Sequence, residues 1–196
     1  MTGTIKRAIA KVGWKLSGWK HVSTVTPEPG QPTLLIGAPH TSNWDFLFML
    51  GIVWDQGVKM KYLGKDSLFK PPFGFVMRWF GGIPVNRANP YGLVEELIAQ
   101  TKKDPSFSLV ITPEGTRGSG KYWKSGFYRI SQQTGMPLTL GFVDKATKTC
   151  GLGMTYTLTG DVSKDMDAIR AFYADKGGYR PELKTEPRLK EEDRNL

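Results

Sequence analysis

Apolar residues at Ile5, Ile9, Val12, Leu16 and Trp19 recur at alternating steps of four and three, which places them on one face of a helix spanning Thr4 to Trp19. Lys6, Arg7, Lys11 and Lys15 fill the other faces, and no acidic residue occurs before Glu28. Two placements fit this basic amphipathic helix. It could lie in a lipid headgroup layer with its Trp-bearing stripe inserted, or pack on the core with its lysines solvated. After a Pro/Gly loop over 26–32, the continuous apolar run Thr33 to Ala38 reads as a short buried strand ending at Pro39-His40.

Further along, the pattern predicts a helix over Asn43–Trp54, a strand over Lys59–Gly64 and a Pro-interrupted aromatic segment with a short helix over Ser67–Phe80. It continues with a strand at Gly82–Val85, a helix at Tyr91–Lys102 and a buried strand at Phe107–Thr112. A helix at Gly126–Thr134, a strand at Leu138–Val143, strand material over Thr149–Thr159 and a helix over Ser163–Lys176 complete the series. Strands alternating with helices predict the α/β class: a single layered domain with a largely parallel sheet flanked by helices, and ligands bound beyond the carboxyl ends of the strands. The expected divisions are an N-terminal helix over 1–22, the main domain over 23–180 and a charged, flexible tail over 181–196.

Composition narrows the class of partner. The 27 Lys+Arg against 18 Asp+Glu give a formal charge of +9, which suits anionic lipid, phosphorylated substrates or nucleic acid. The basic residues are spread along the chain and match no helix-turn-helix, RNP-like or zinc pattern, so nucleic acid is not the expected partner. One cysteine, Cys150, excludes an internal disulfide and a Cys-based zinc cage. No apolar run approaches the roughly 20 residues of a spanning helix, and no signal-peptide pattern opens the chain. The expectation is a cytoplasmic protein, peripheral on the inner face of the cell membrane.

Candidate chemistry starts at His40, directly after the first buried strand, with Asp45 five residues on. If a helix begins near Ser42, the carboxylate can take the imidazole Nδ1 proton and leave Nε2 free as a base. Taken alone, the hexapeptide reads more readily as a helix cap at Ser42-x-x-Asp45 with an acidic first turn and His40 as a surface loop residue. Two more segments begin at strand ends and carry an arginine at or next to their close: Gly81-Gly-Ile-Pro-Val-Asn-Arg87 and Thr112-Pro-Glu-Gly-Thr-Arg-Gly118. An arginine fork suits phosphate, and backbone amides near Gly115 could add an anion-binding concavity.

With these blocks in order, residues 33 to 143 resemble the glycerolipid acyltransferase family of glycerol-phosphate and lysophosphatidic acid acyltransferases. His40 to Asp45 looks like the family's His-x4-Asp catalytic block, and Gly82 to Arg87 like its second block, whose arginine holds the acceptor phosphate. Pro113-Glu114-Gly115-Thr116-Arg117 matches the third, which shapes that acceptor site. Leu138 to Val143 sits where the fourth, hydrophobic block belongs. Thr112, Asn86 and Gly141 depart from the usual Phe, Asp and Pro.

The resemblance implies an acyltransferase acting through His40 and Asp45 without a covalent intermediate, with Arg87, Glu114, Gly115, Thr116 and Arg117 binding the acceptor. No metal or bound cofactor is implied. Acyl-CoA or acyl-ACP is the co-substrate, and the partners are a lysolipid acceptor, an anionic membrane surface and, as one carrier, acyl carrier protein. A non-catalytic membrane-peripheral protein of the same fold is the alternative, which the intact His40 and Asp45 disfavour. Phe69 to Phe80 is a candidate acyl-chain wall, second membrane-dipping surface or ordinary core segment, and Met49, Met60 and Met77 are candidate tunnel linings or gap-filling core residues. Lys65 and Lys121 are candidates for carrier phosphate contacts or plain solvated lysines.

Overall fold

The computed structural model describes residues 2–85, 90–104 and 106–195. They form a seven-stranded sheet in the order β1-β7-β6-β2-β5-β3-β4. The strands are β1 (Lys20–His21), β2 (Thr33–Gly37), β3 (Met60–Lys65), β4 (Gly82–Val85), β5 (Ser108–Ile111), β6 (Leu138–Asp144) and β7 (Thr149–Tyr156). All adjacent pairs are parallel except β6 with β7. The helices are α1 (Thr2–Ser17), α2 (Trp44–Gln56), α3 (Gly74–Trp79), α4 (Pro90–Lys103), α5 (Gly126–Thr134) and α6 (Val162–Tyr173).

Central β2 explains why the sheet is buried on both sides. Its side chains alternate, so Leu34 and Ile36 enter one core with Leu109, Leu138, Phe127, Ile169 and Tyr173, while Leu35 enters the other with Phe48, Val53 and Leu152. In-register neighbours such as Leu34 with Leu109 and Leu138 make each core a row of branched side chains. Truncating Leu34, which has no exposed surface, would cost about 2–5 kcal/mol.

The face of α1 that packs differs from the expected one. Ala10 is buried and Trp14 stacks on Phe48, its ring close enough to Gly51 that any Cβ there would lie 2.5 Å from it. Lys6 sits over the Trp79 ring at 4.7 Å, and Arg7 Nε donates to the Asp55 carbonyl at 2.8 Å. These two cations, expected among headgroups, instead hold α1 to the domain. The apolar stripe is left facing outward, with Ile5, Ile9, Val12 and Leu16 all exposed, whereas Trp19 turns in against Phe48 and Tyr179.

The tail is also placed differently. Residues from Pro181 on form two 3-10 segments separated by an extended strap, and Leu189 at the strap's end has no exposed surface. Trp123 N–H donates to the Arg188 carbonyl at 2.8 Å, and Arg170 bridges the Pro187 carbonyl and Glu192. Thr185, Pro187 and Leu189 alternate inward, too few apolar positions in a charged stretch to stand out by periodicity.

None of the described helices is long and apolar enough to cross a membrane. At the carboxyl ends of the central strands, the Tyr173 hydroxyl reaches the Ile36 carbonyl at 3.2 Å and the Gly141 carbonyl at 3.0 Å, bracing β2 and β6 where the next loop leaves the sheet.

Candidate active site

The loop from β2 to α2 carries His40 over the middle of the sheet, beyond the carboxyl end of β2 and between its neighbours β5 and β6. Asp45, in the first turn of α2, folds its carboxylate back over that loop. Its Oδ2 accepts the Thr41 amide at 2.7 Å and the Ser42 amide at 2.8 Å, and it faces His40 Nδ1 at 3.3 Å. Asn43, the N-cap of α2, makes no side-chain capping bond; the Asp45 carboxylate instead ties the amides of the loop ahead of the helix, and those bonds hold it beside the imidazole. Nε2 of His40 makes no hydrogen bond among the described residues.

Behind this pair lies Glu114, reached three residues beyond β5. It is 3% exposed, and its Oε1 accepts the His40 backbone N–H at 3.0 Å. Oε2 is buried without a partner among the described residues. Burial pushes this carboxyl up to about 7, with Asp45 adding to the rise and the His40 N–H bond, the His40 ring and Lys184 opposing it. The resemblance put Glu114 on the acceptor surface. Its carboxylate lies instead beneath the His40 loop.

Gly115, Thr116 and Arg117 are exposed just past it. Gly115 takes φ +70°, a left-handed turn that brings the Lys124 stem against its backbone; a Cβ there would sit 3.3 Å from Lys124 Cγ. Arg117 Nη1 donates to Asn43 Oδ1, so the third block is tied to the start of α2 and a guanidinium stands beside the helix N-terminus. Thr116 Oγ1 accepts the Gly118 amide. Arg87 lies outside the described residues.

His40 and Asp45 border a cavity of about 530 Å³ between α2 and the sheet. Its walls are almost wholly apolar, with Phe46, Met49, Ile52 and Val53 from α2, Leu35 and Val110 from the sheet, and Lys124 as the only other basic residue beside His40 among its lining. Volume and lining are those of a small-molecule or chain pocket, typically about 300–1,000 Å³. Of the three candidate methionines only Met49 lines it, and no residue of Phe69 to Phe80 does. Phe69 takes the core reading, its ring edge close over Gly64 and Gly82, while Phe73, Phe75 and Trp79 are exposed.

A family model for acyltransferases matches residues 20–144, more than half of the chain. The chain belongs to the acyltransferase family. The matched span of this acyltransferase-family chain includes His40, Asp45, Glu114 and Arg117. It is 27% identical over 108 residues to a 1-acyl-sn-glycerol-3-phosphate acyltransferase of Streptococcus pneumoniae, an overlap of 54% of this chain and 40% of that protein. The alignment thus spans well under half the length of the curated relative. The crystal structure of the 1-acyl-sn-glycerophosphate (LPA) acyltransferase of Thermotoga maritima superposes with a TM-score of 0.58 at 15% identity, over 85% of this chain and 74% of the other. That likeness establishes a shared fold, a helix-flanked and mostly parallel sheet.

Sequence reasoning missed two contributors and the orientation of a third. Asn43 had no signal beyond its place in a cap, and Lys124 lies outside the quoted blocks. The inward turn of Glu114 had no signal either, because an acid before glycine in a tight turn reads as exposed.

Proposed function

We propose that this chain moves a fatty acyl group from an acyl thioester, carried by coenzyme A or acyl carrier protein, to the hydroxyl of a lysophospholipid or related lyso-lipid. The observation that carries the reading is the His40–Asp45 pair at the wall of an apolar cavity of about 530 Å³, with Nε2 unengaged among the described residues. The apolar cavity suits an alkyl chain, and the base suits activation of a hydroxyl. In the reaction the acceptor oxygen attacks the thioester carbonyl as His40 Nε2 takes the hydroxyl proton. The carbon–oxygen bond forms, the carbon–sulfur bond breaks, and His40 returns the proton to the leaving thiolate. Asp45 stabilises the imidazolium between these steps. Buried Cys150, whose thiol burial pushes up to about 12, is a poor nucleophile, so direct transfer needs no acyl-enzyme.

Arg117, aided by Arg87 and the backbone at Gly115 and Thr116, would neutralise the acceptor phosphate and pin its hydroxyl near the base. Because acceptor and product both partition into bilayers, we assign docking to the outward stripe of α1 and the exposed Phe73, Phe75 and Trp79, together with the exposed Lys11, Lys15 and Lys20. Each basic residue near an anionic surface adds about 1 kcal/mol. Purified protein incubated with radiolabelled acyl thioesters, a panel of lysolipids and anionic vesicles tests the reading. Label should appear in a diacyl product and protein should sediment with anionic vesicles but not in high salt; no transfer to any lysolipid contradicts it.

A further inference from the structure

Glu114 has no route to an acceptor, being 3% exposed, yet it touches the base from behind through the His40 amide. Resting on the acyl-transfer reading, we propose that Glu114 is a positioning residue: its ionised carboxylate clamps the His40 backbone and lends negative charge to the imidazolium, and its protonation slackens the base and lowers turnover as pH falls. The geometry gives each oxygen a part. Oε1 accepts the His40 N–H at 3.0 Å, and the buried Oε2, unpartnered among the described residues, is where a proton can settle without breaking that bond. A bond to a charged acceptor is roughly twice as strong as one to a neutral carbonyl, so protonation weakens the clamp without removing it.

The groups facing Glu114 come from several elements. His40 lies on the loop above, Asp45 on α2, Lys184 on the C-terminal strap and Tyr173 on α6. Lys184 Nζ is held by the Tyr173 carbonyl at 2.6 Å, and burial lowers its affinity for a proton. Burial pushes Glu114 up to about 7, so its ionised and neutral states interchange near neutral pH.

The test is the pH profile of kcat for the wild type, Glu114→Gln and Glu114→Ala, with acceptor KM measured alongside. Glutamine keeps an acceptor for the His40 amide but never ionises. The wild-type acid limb should be steeper than a one-proton slope, and that of Glu114→Gln should fall to one proton with a plateau about 3- to 10-fold lower. Glu114→Ala, lacking the acceptor too, should lose about 10²-fold, with KM moving less than about twofold in either variant. If alanine prevents folding, the glutamine profile alone decides. A Glu114→Gln profile superimposable on the wild type, or a raised KM with unchanged kcat, overturns the proposal. The His40 amide resonance, followed against pH without substrate, should move as Glu114 titrates near pH 7, and that step should be lost in Glu114→Gln; the same pH dependence in both proteins overturns it as well. Because that readout needs no turnover, a chain that transfers nothing would refute the acyl-transfer reading and leave the Glu114 link to be scored separately.

Discussion

Both histidines of the chain stand beside an aspartate, and the contrast between them separates structural from chemical order. His21 has the tighter geometry: Nδ1 meets Asp55 Oδ2 at 2.7 Å and Nε2 meets Ser23 Oγ at 2.6 Å, a serine–histidine–aspartate line. Every group in it is spoken for. Ser23 Oγ also accepts the Leu152 amide at 2.9 Å, and Trp14 stacks on the ring with centroids 5.7 Å apart. His40 is the looser of the two, 3.3 Å from its aspartate, with Nε2 unengaged among the described residues and a cavity beside it. A satisfied network resists change, whereas a base must keep one nitrogen for its substrate. The His21 cluster joins β1, α2 and β7 and steadies α1 through Trp14; the His40 cluster sits where the fold leaves backbone and space for a ligand.

Substituting each histidine is the sharpest way to break this contrast. His40→Ala should lower turnover by about 10² to 10⁴ while leaving acceptor KM and melting temperature near wild type, as steady-state kinetics and calorimetry would record. His21→Ala should do the reverse. By leaving the Asp55 and Ser23 groups partly unpaired it should cost about 2–3 kcal/mol in denaturant unfolding, with kcat of the folded fraction within about threefold of wild type. A large loss of turnover in a folded His21→Ala protein would move the chemistry to the wrong end of the comparison.

Glu114 brings a stability effect of opposite sign to that of an ordinary acid. In the folded chain it holds its proton to about 7, against an ordinary value of 4.5, so between those values the native state binds more protons than the unfolded one. This contribution is fully present below about 4.5 and is lost as pH rises through about 7. Relative to wild type, Glu114→Gln should therefore gain about 2–3 kcal/mol on going from pH 4 to pH 8 in urea titrations. A constant difference across that range would show that Glu114 titrates normally. On the proposal for Glu114, the charge that helps the imidazolium is also the one that costs the fold.

Arg117→Ala should raise acceptor KM about tenfold with little change in donor KM, and lysine should restore only part, because a point charge does not reproduce the fork. Asn43→Ala, which frees the guanidinium without removing it, should raise acceptor KM about two- to threefold. If a phosphate-free lysolipid is the best substrate and neither variant alters its handling, the arginine serves some other purpose.

How much of this could be read from the chain alone varied with the physical signal. Buried parallel strands announce themselves as apolar runs, so β2, β5 and β6 and the helices between them fall close to the expected positions. The His40–Asp45 pair was legible because strand end and helix start fix both residues locally. Two-residue β1 was invisible, being set by its pairing with β7 rather than by its own pattern. The outward stripe of α1 was correctly grouped by periodicity, but which face packs depended on a tertiary fit of Trp14 to Gly51 that no helical wheel contains. Glu114 was misplaced for the same reason: its environment comes from His40, Tyr173 and Lys184, three segments distant in sequence.

The most direct measurement is a single turnover with protein in excess over a radiolabelled acyl thioester, quenched at intervals in the presence of a lysolipid and in its absence. With acceptor, label should pass straight into the diacyl lipid in the wild type and in His21→Ala, about 10² or more times slower in His40→Ala, and never onto the protein. Without acceptor the thioester should persist. Denaturation-stable label on the protein, or a His40→Ala rate equal to wild type, would contradict direct transfer by a His40 base.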